Sequence, residues 1–299
     1  MKTIGDYVND FVNIYSKAGV EDSLFDVLAV ISAKSLKRVS EIRLNFDKPF
    51  DYLGVDIDSM DDCLERHLNG EPIEYITGIA WFYNEKYFVG QGVLIPRPDS
   101  ELLVEKALEV ISNNSRFDSK KITLADLCTG SGCVGISLTN ALIKNDFEVC
   151  ATLTDIEDEA LSYCRINVER QLIKSNKAQC LVLKADVNDE STWDELGKLD
   201  LLVSNPPYID ELEMRQLDSS VINFEPSIAL YGGLDGLNYY RTIAKSAKSI
   251  LVSDGVILFE HGYLQGAAVR KILENEGYKD VNTFKDYGGN DRVTIGVRA

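Results

Sequence analysis

From Lys121 onward the chain repeats one pattern: a short apolar run, a polar loop, then a longer segment with apolar residues at helical spacing. Ile122 to Leu127, Glu148 to Leu153, Leu181 to Ala185, Leu199 to Val203 and Gly255 to Glu260 read as strands. Val134 to Ile143, a stretch running through Arg170, Tyr239 to Leu251 and Gln265 to Asn275 read as helices between them. Parallel strands need such long crossovers and hairpins do not, so the alternation predicts a mostly parallel α/β sheet covered on both faces. Two last strand-like runs, Val281 to Phe284 and Val293 to Val297, flank the turn Tyr287-Gly288-Gly289-Asn290 and predict an antiparallel ending.

The first seventy residues have another period. Ile4, Tyr7, Val8, Phe11, Val12 and Tyr15 share one helical face, with Gly19 as the residue past its end. Leu24, Val27, Leu28 and Ile31 repeat the pattern, and Cys63, Leu64, His67 and Leu68 form a short last helix stopped by Gly70. A helical bundle over residues 1–70 is expected, with His67 as a packed side chain and the whole as a module that docks a partner. Residues 71–95 read as a linker with an aromatic hairpin, in which Trp81-Phe82-Tyr83 and Tyr87-Phe88-Val89 flank Asn84-Glu85-Lys86. Residues 96–299 read as the α/β domain, opening with Asp99 or Ser100 as N-cap of a helix through Leu102, Leu103, Ala107, Leu108 and Ile111. Arg97, between two prolines, is either a surface charge or a residue that serves a nearby site.

Composition narrows the function. A formal net charge of −17 disfavours a grip on duplex nucleic acid, whose phosphates call for a basic face. Six cysteines without a C-x-x-C pair predict free thiols, and two histidines leave no multi-histidine metal site. No apolar run reaches 18 residues, and the start of the chain has no apolar signal-peptide core, so a cytoplasmic, membrane-free protein is expected.

Polar residues collect where the predicted strands end: Asp126 with the loop Cys128-Thr129-Gly130-Ser131-Gly132, then Asp155, Asp186 and Asn205. Open α/β sheets bind ligands at that edge. Gly130 and Gly132 let backbone approach a ligand closely. Asp155 lies 23 residues beyond Gly132, close to the spacing of an acid that binds ribose hydroxyls. With Cys128 at its start and Gly135 as the final glycine, the loop is taken to depart from the dinucleotide pattern, which argues for a nucleoside cofactor without pyrophosphate. After Val203 comes Ser204-Asn205-Pro206-Pro207-Tyr208, where the prolines end the strand. The Asn205 side chain and the Pro206 carbonyl offer two acceptors beside a ring, a match for a planar –NH2 group.

Asp126 to Gly132 resembles the first motif of class I S-adenosylmethionine-dependent methyltransferases, and Asn205-Pro206-Pro207-Tyr208 resembles the motif of those that methylate planar nitrogens. Further segments look like the protein-(glutamine-N5) methyltransferases acting on peptide chain release factors. These are Glu71-Pro72-Ile73 with Thr77-Gly78, Leu94-Ile95-Pro96-Arg97-Pro98-Asp99, Phe224-Glu225-Pro226, Glu260-His261-Gly262, and Asp286-Tyr287-Gly288 with Asp291-Arg292. The resemblance implies a Rossmann-like methyltransferase sheet, S-adenosylmethionine as cofactor, and methyl transfer to the glutamine of a Gly-Gly-Gln tripeptide. It assigns Cys128 to Gly132 to the methionine part, Asp155 to the ribose and Asp186 with Val187 to the adenine. Asn205, also beside the cofactor, and Pro206 would hold the substrate amide, with Pro207 alongside and Tyr208 on the amide plane. Cys128 stands where the family usually has glycine, and His261 is expected to be structural. The expected partner is a release factor bound by a monomer. The alternatives are an adenine-N6 nucleic-acid methyltransferase, which shares the Asn205 motif, and a non-catalytic cofactor sensor.

Overall fold

A computed structural model describes residues 2–299, and the chain forms two compact units. One comprises the residues through Ile79 together with Asp218–Phe224; the other comprises Ala80–Leu217 and Glu225–Ala299.

The helical unit holds α1 (Ile4–Lys17), α2 (Ser23–Ser35), α3 (Val39–Leu44), α4 (Ile57–Leu68), α5 (Ile73–Thr77) and, from the distant segment, Ser219–Phe224. Thr3 and Asp6 make a reciprocal capping box at the start of α1. The apolar face predicted for α1 is buried, apart from the half-buried Val12, against Val27, Leu28, Ile31, Met60 and Leu64. Tyr15 donates to the Leu64 carbonyl at 2.7 Å, tying α1 to α4. His67 is packed: Nδ1 lies 2.9 Å from the Glu71 carbonyl and Nε2 3.3 Å from Asp26. Three short pieces were not foreseen: α3, a 3-10 turn at Phe50–Leu53, and α5, which lies where a linker was expected.

The second unit opens, from Ala80, in a hairpin that pairs β1 (Ile79–Phe82) with β2 (Glu85–Phe88). Its turn is the two residues Tyr83 and Asn84, both at positive φ, and not the three-residue Asn84-Glu85-Lys86 turn of the sequence reading. Positive φ at both positions gives the twist that a two-residue hairpin needs. Seven strands form the main sheet: β3 (Lys121–Leu127), β4 (Glu148–Asp155), β5 (Ala178–Lys184), β6 (Leu199–Ser204), β7 (Leu251–Glu260), β8 (Lys279–Lys285) and β9 (Asp291–Val297). Their order is β5-β4-β3-β6-β7-β9-β8, parallel except for β9, which runs antiparallel to both neighbours.

The order reverses between β3 and β6, a switch point whose strand ends open toward a cleft. Alternate residues of the central strands feed two cores. Leu124, Leu201, Val203 and Leu258 join one face with α6 (Glu101–Asn113) and α7 (Cys133–Lys144). Ala125, Leu202, Ile257 and Phe259 join the other with α9 (Glu190–Leu196), α12 (Asn238–Ile250) and α13 (Gly266–Asn275). Both alternating sets are apolar, as a sheet buried on both sides requires. The remaining helices are α8 (Asp158–Gln171), α10 (Glu211–Met214) and α11 (Ser219–Phe224), the last being the segment counted with the helical unit.

β7 begins at Leu251, ahead of the predicted Gly255, because an irregularity holding Asp254 at positive φ interrupts its pairing with β6. Neither Asp99 nor Ser100 caps α6 with its side chain. Asp99 pairs with Arg292 at 3.0 Å, and the Ser100 hydroxyl accepts from Asn205.

Candidate active site

The cleft at the switch point lies wholly within the sheet unit. Its floor is the loop between β3 and α7. Asp126, 1% exposed, accepts from the Thr129 hydroxyl at 2.6 Å and from the Gly135 N–H at 2.9 Å, anchoring both ends of that loop. Burial pushes the Asp126 carboxyl up to about 7, against those two hydrogen bonds. A Cβ on Gly135 would run into Leu153 and Asp126, so glycine there lets α7 pack onto the sheet. Gly130, at φ +54°, is different: a Cβ there would meet only Val93, at 3.9 Å. Its open side faces the cleft. Counted from Gly130, the spacing Gly130-x-Gly132-x-x-Gly135 does satisfy the dinucleotide count, so the glycine pattern by itself does not exclude a pyrophosphate.

Cys128 sits at φ +57°, a left-handed backbone that costs an L-residue about 1–2 kcal/mol. Its thiol is pushed up by burial and by Asp155 and stays protonated at neutral pH.

Asp155 closes β4. One carboxylate oxygen accepts from the Gly130 N–H at 2.8 Å and the other from the Glu157 N–H at 3.1 Å. The Ile156 N–H also favours the carboxylate, and the remaining lone-pair capacity is left for a ligand hydroxyl. Asp186 accepts from the Asn188 N–H at 2.9 Å, and Val187 is buried with its carbonyl on the Trp193 indole. These side chains line the cleft with Ile156, Glu157, Ala185 and Tyr239.

At the other end stands Asn205. The Ser204 hydroxyl donates to the Leu127 carbonyl at 2.7 Å and locks β6 to β3, so Asn205 leaves the sheet at a fixed point. Its Nδ2 donates to Ser100 Oγ at 3.2 Å. Pro207 lines the cleft beside it, whereas Pro206 is buried and Tyr208 is half-buried against the apolar core. Gln265 holds the loop that follows, donating to the Tyr208 carbonyl at 2.8 Å and accepting from the Gly262 N–H at 3.0 Å. A Cβ on Gly232 would lie 2.6 Å from the Pro207 carbonyl oxygen, so a second glycine stretch packs directly on this loop.

Of the residues singled out from sequence, the structure brings Cys128, Thr129, Gly130, Ser131, Asp155, Asp186, Val187, Asn205 and Pro207 to one cleft. Gly132, Pro206 and Tyr208 are outside its lining; a Cβ at Gly132 would meet Cys164 and Ile136. Arg97 lines the mouth, paired with the buried Glu225, which also accepts from the Ile95 N–H at 3.4 Å. Sequence reasoning did not single out Ser100, Tyr239 and the Pro226-to-Ala229 turn as site residues. Only proximity of Phe224-Glu225-Pro226 to that turn pointed there. His261 is fully buried, with Nε2 2.9 Å from the Thr294 hydroxyl, a structural position.

The residues fit an S-adenosyl group: a cradle open at Gly130, an acid with free lone pairs, and an apolar slot between Val187 and Ile156. The Ser131 hydroxyl, buried in the cleft wall, makes no hydrogen bond among the described residues.

A family model described as the methyltransferase small domain matches residues 100–223. A release factor glutamine methyltransferase of Clostridium acetobutylicum is 40% identical over 239 residues, covering 79% of this chain and 79% of its own. One from Haemophilus influenzae is 34% identical over 293 residues, covering 95% and 94%. One from Escherichia coli is 36% identical over 237 residues, covering 79% of each.

Proposed function

This chain belongs to the family of release factor glutamine methyltransferases, and from that membership we propose that it methylates the side-chain amide nitrogen of the glutamine in the Gly-Gly-Gln tripeptide of a peptide chain release factor. The observation that carries the reading is Asn205, held at the end of β6 by Ser100 with its other amide atom left for a ligand. S-adenosylmethionine, when bound, supplies an electrophilic methyl on a sulfonium. Asp155 would hold its ribose hydroxyls, Asp186 and Val187 its adenine, and Cys128 to Ser131 its methionine part.

An amide nitrogen is a poor nucleophile because its lone pair is delocalised into the carbonyl. Asn205 Oδ1 and the Pro206 carbonyl would accept one N–H each, fixing the nitrogen in line for transfer and favouring its pyramidal form. Tyr208 would steady the amide plane. Burial pushes its phenol up to about 12, so it stays neutral and acts by packing. Transfer leaves the nitrogen as an N-protonated methylamide cation, a strong acid that gives its proton to water without a dedicated base, which suits a site whose histidine is buried among structural partners. In this reading the helical unit docks the release factor, and the chain works as a cytoplasmic monomer without nucleic acid or membrane.

The test is transfer of labelled methyl to a purified release factor and to a copy whose Gly-Gly-Gln glutamine is alanine. Label on the first alone is expected. Equal label on both, or label only on added DNA or RNA, would overturn the reading.

A further inference from the structure

The segment Glu260-His261-Gly262 contains a carboxylate that no step above uses. Strands β6 and β7 pair in parallel with Ser204 opposite Phe259, so Asn205 and Glu260 stand one residue beyond, side by side on neighbouring strand ends. Glu260 is 1% exposed, and its Oε2 makes no hydrogen bond among the described residues. Its backbone is pinned, with the Tyr240 hydroxyl donating to its carbonyl at 2.9 Å. A charge buried that deeply is retained only where it is held by partners.

The groups facing it come from five elements. Ser100 and Asp99 come from the 3-10 turn before α6, Asn205 and Tyr208 from the loop after β6, Arg292 from β9, Tyr240 from α12 and Cys133 from α7; Asp286, at the end of β8, grips Arg292 at 3.2 Å.

An asparagine side chain has two nearly isosteric ends, and a half-turn about its last torsion exchanges acceptor for donor. For a substrate –NH2 that exchange is fatal, since two donors would face each other. The end must therefore be chosen by what touches it on the protein side. Asn205 Nδ2 donates to Ser100 Oγ, which leaves the serine hydrogen to be given onward. An ionised carboxylate is a pure acceptor and can take it. We propose that Glu260, acting through Ser100, is a positioning residue that fixes the Asn205 amide with Oδ1 toward the substrate nitrogen. The proposal rests on the reading of Asn205 given above.

Burial pushes the Glu260 carboxyl up to about 7, while the neighbouring Ser100 and Asn205 side chains and the Arg292 charge favour its ionised form. Positioning should therefore strengthen as pH rises through 7, giving kcat an acid limb there.

The experiment compares full-length Glu260→Gln, Ser100→Ala, Ser100→Thr and Asn205→Ala, with kcat and KM on a release factor, cofactor affinity by calorimetry, and melting temperature. Glu260→Gln and Ser100→Ala should each lower kcat about tenfold or more, the scale of a lost charge-assisted hydrogen bond. Cofactor affinity should stay within about twofold. Ser100→Thr, which keeps the hydroxyl, should restore kcat, and Glu260→Gln should flatten the acid limb. Wild-type kcat and pH profile in Glu260→Gln, or equal losses in kcat and cofactor affinity, would overturn the proposal. If Glu260→Gln fails to fold, wild-type kcat in Ser100→Ala overturns it. Asn205→Ala separates the two claims: full activity there sinks the parent reading. Inactivity there, with Ser100→Ala and Glu260→Gln at wild-type rate, sinks this inference alone.

Discussion

The two ends of the cleft use carboxylates in opposite ways. At the ends of β4 and β5, Asp155 and Asp186 line the cleft. At the ends of β6 and β7, the lining groups Asn205 and Pro207 are neutral, and the carboxylate of Glu260 is buried behind them. The contrast follows from what each end would hold. Ribose hydroxyls are strong donors in a wet rim, and a charged acceptor roughly doubles the bond. An amide due to attack a sulfonium needs acceptors that set its geometry without drawing the positive charge to themselves. A carboxylate in the front row would stabilise the cation before transfer as much as during it, which lowers no barrier.

The sharpest way to break this comparison is Asn205→Ala. Turnover should fall by about 10²–10³, the usual scale for one preorganised polar group at a reacting centre, with cofactor affinity nearly unchanged. Stopped turnover assays with calorimetry on the same preparation decide it; parallel losses would merge the two ends into one. Next in size is Asp155→Ala, expected to weaken cofactor binding by roughly 10–100-fold, the scale of one or two hydrogen bonds to a charged group. Its kcat at saturating cofactor should hold, and a drop in kcat with unchanged affinity would reverse the assignment.

The smallest effect concerns Asp126, the acid that neither end uses. Its folded-state carboxyl lies near 7, above the ordinary value of 3.8. The native state therefore binds that proton more tightly than the unfolded state. Its contribution to stability is most favourable below 3.8, falls as pH climbs to about 7, and is flat beyond. Asp126→Asn should remove that slope, so the melting temperature of the wild type relative to the variant should decline between pH 4 and 7. Parallel melting curves would show that Asp126 does not titrate there.

Much of this was readable locally. The strand–loop–helix rhythm, the loop from Cys128, Asp155 and the Asn205 motif each declare themselves within a few residues, because buried parallel strands and tight turns restrict composition over that range. What was not readable depends on distance. Ser100 looked like a helix cap, and its partner Asn205 lies 105 residues away. Glu260 meets Asn205 only through the register of β7, which is set past an irregularity at Asp254. The insertion of β9 between β7 and β8 leaves no local trace either, since adjacent runs normally predict adjacent strands. The hairpin turn was misplaced because Tyr83, an unusual residue at positive φ, occupies its first position.

The membership of Asp218–Phe224 in the helical unit has a consequence for how the protein can be taken apart. The backbone passes between the two units three times, after Ile79, after Leu217 and after Phe224. A single cut at residue 79 would thus not liberate a catalytic fragment; it would leave seven residues severed from the helices they belong with, beginning ten positions beyond Tyr208. Recombination with a relative, whether by nature or in the laboratory, would have to exchange the N-terminal helices and that short segment together. In the gene the two pieces are far apart, yet they are inherited as one part.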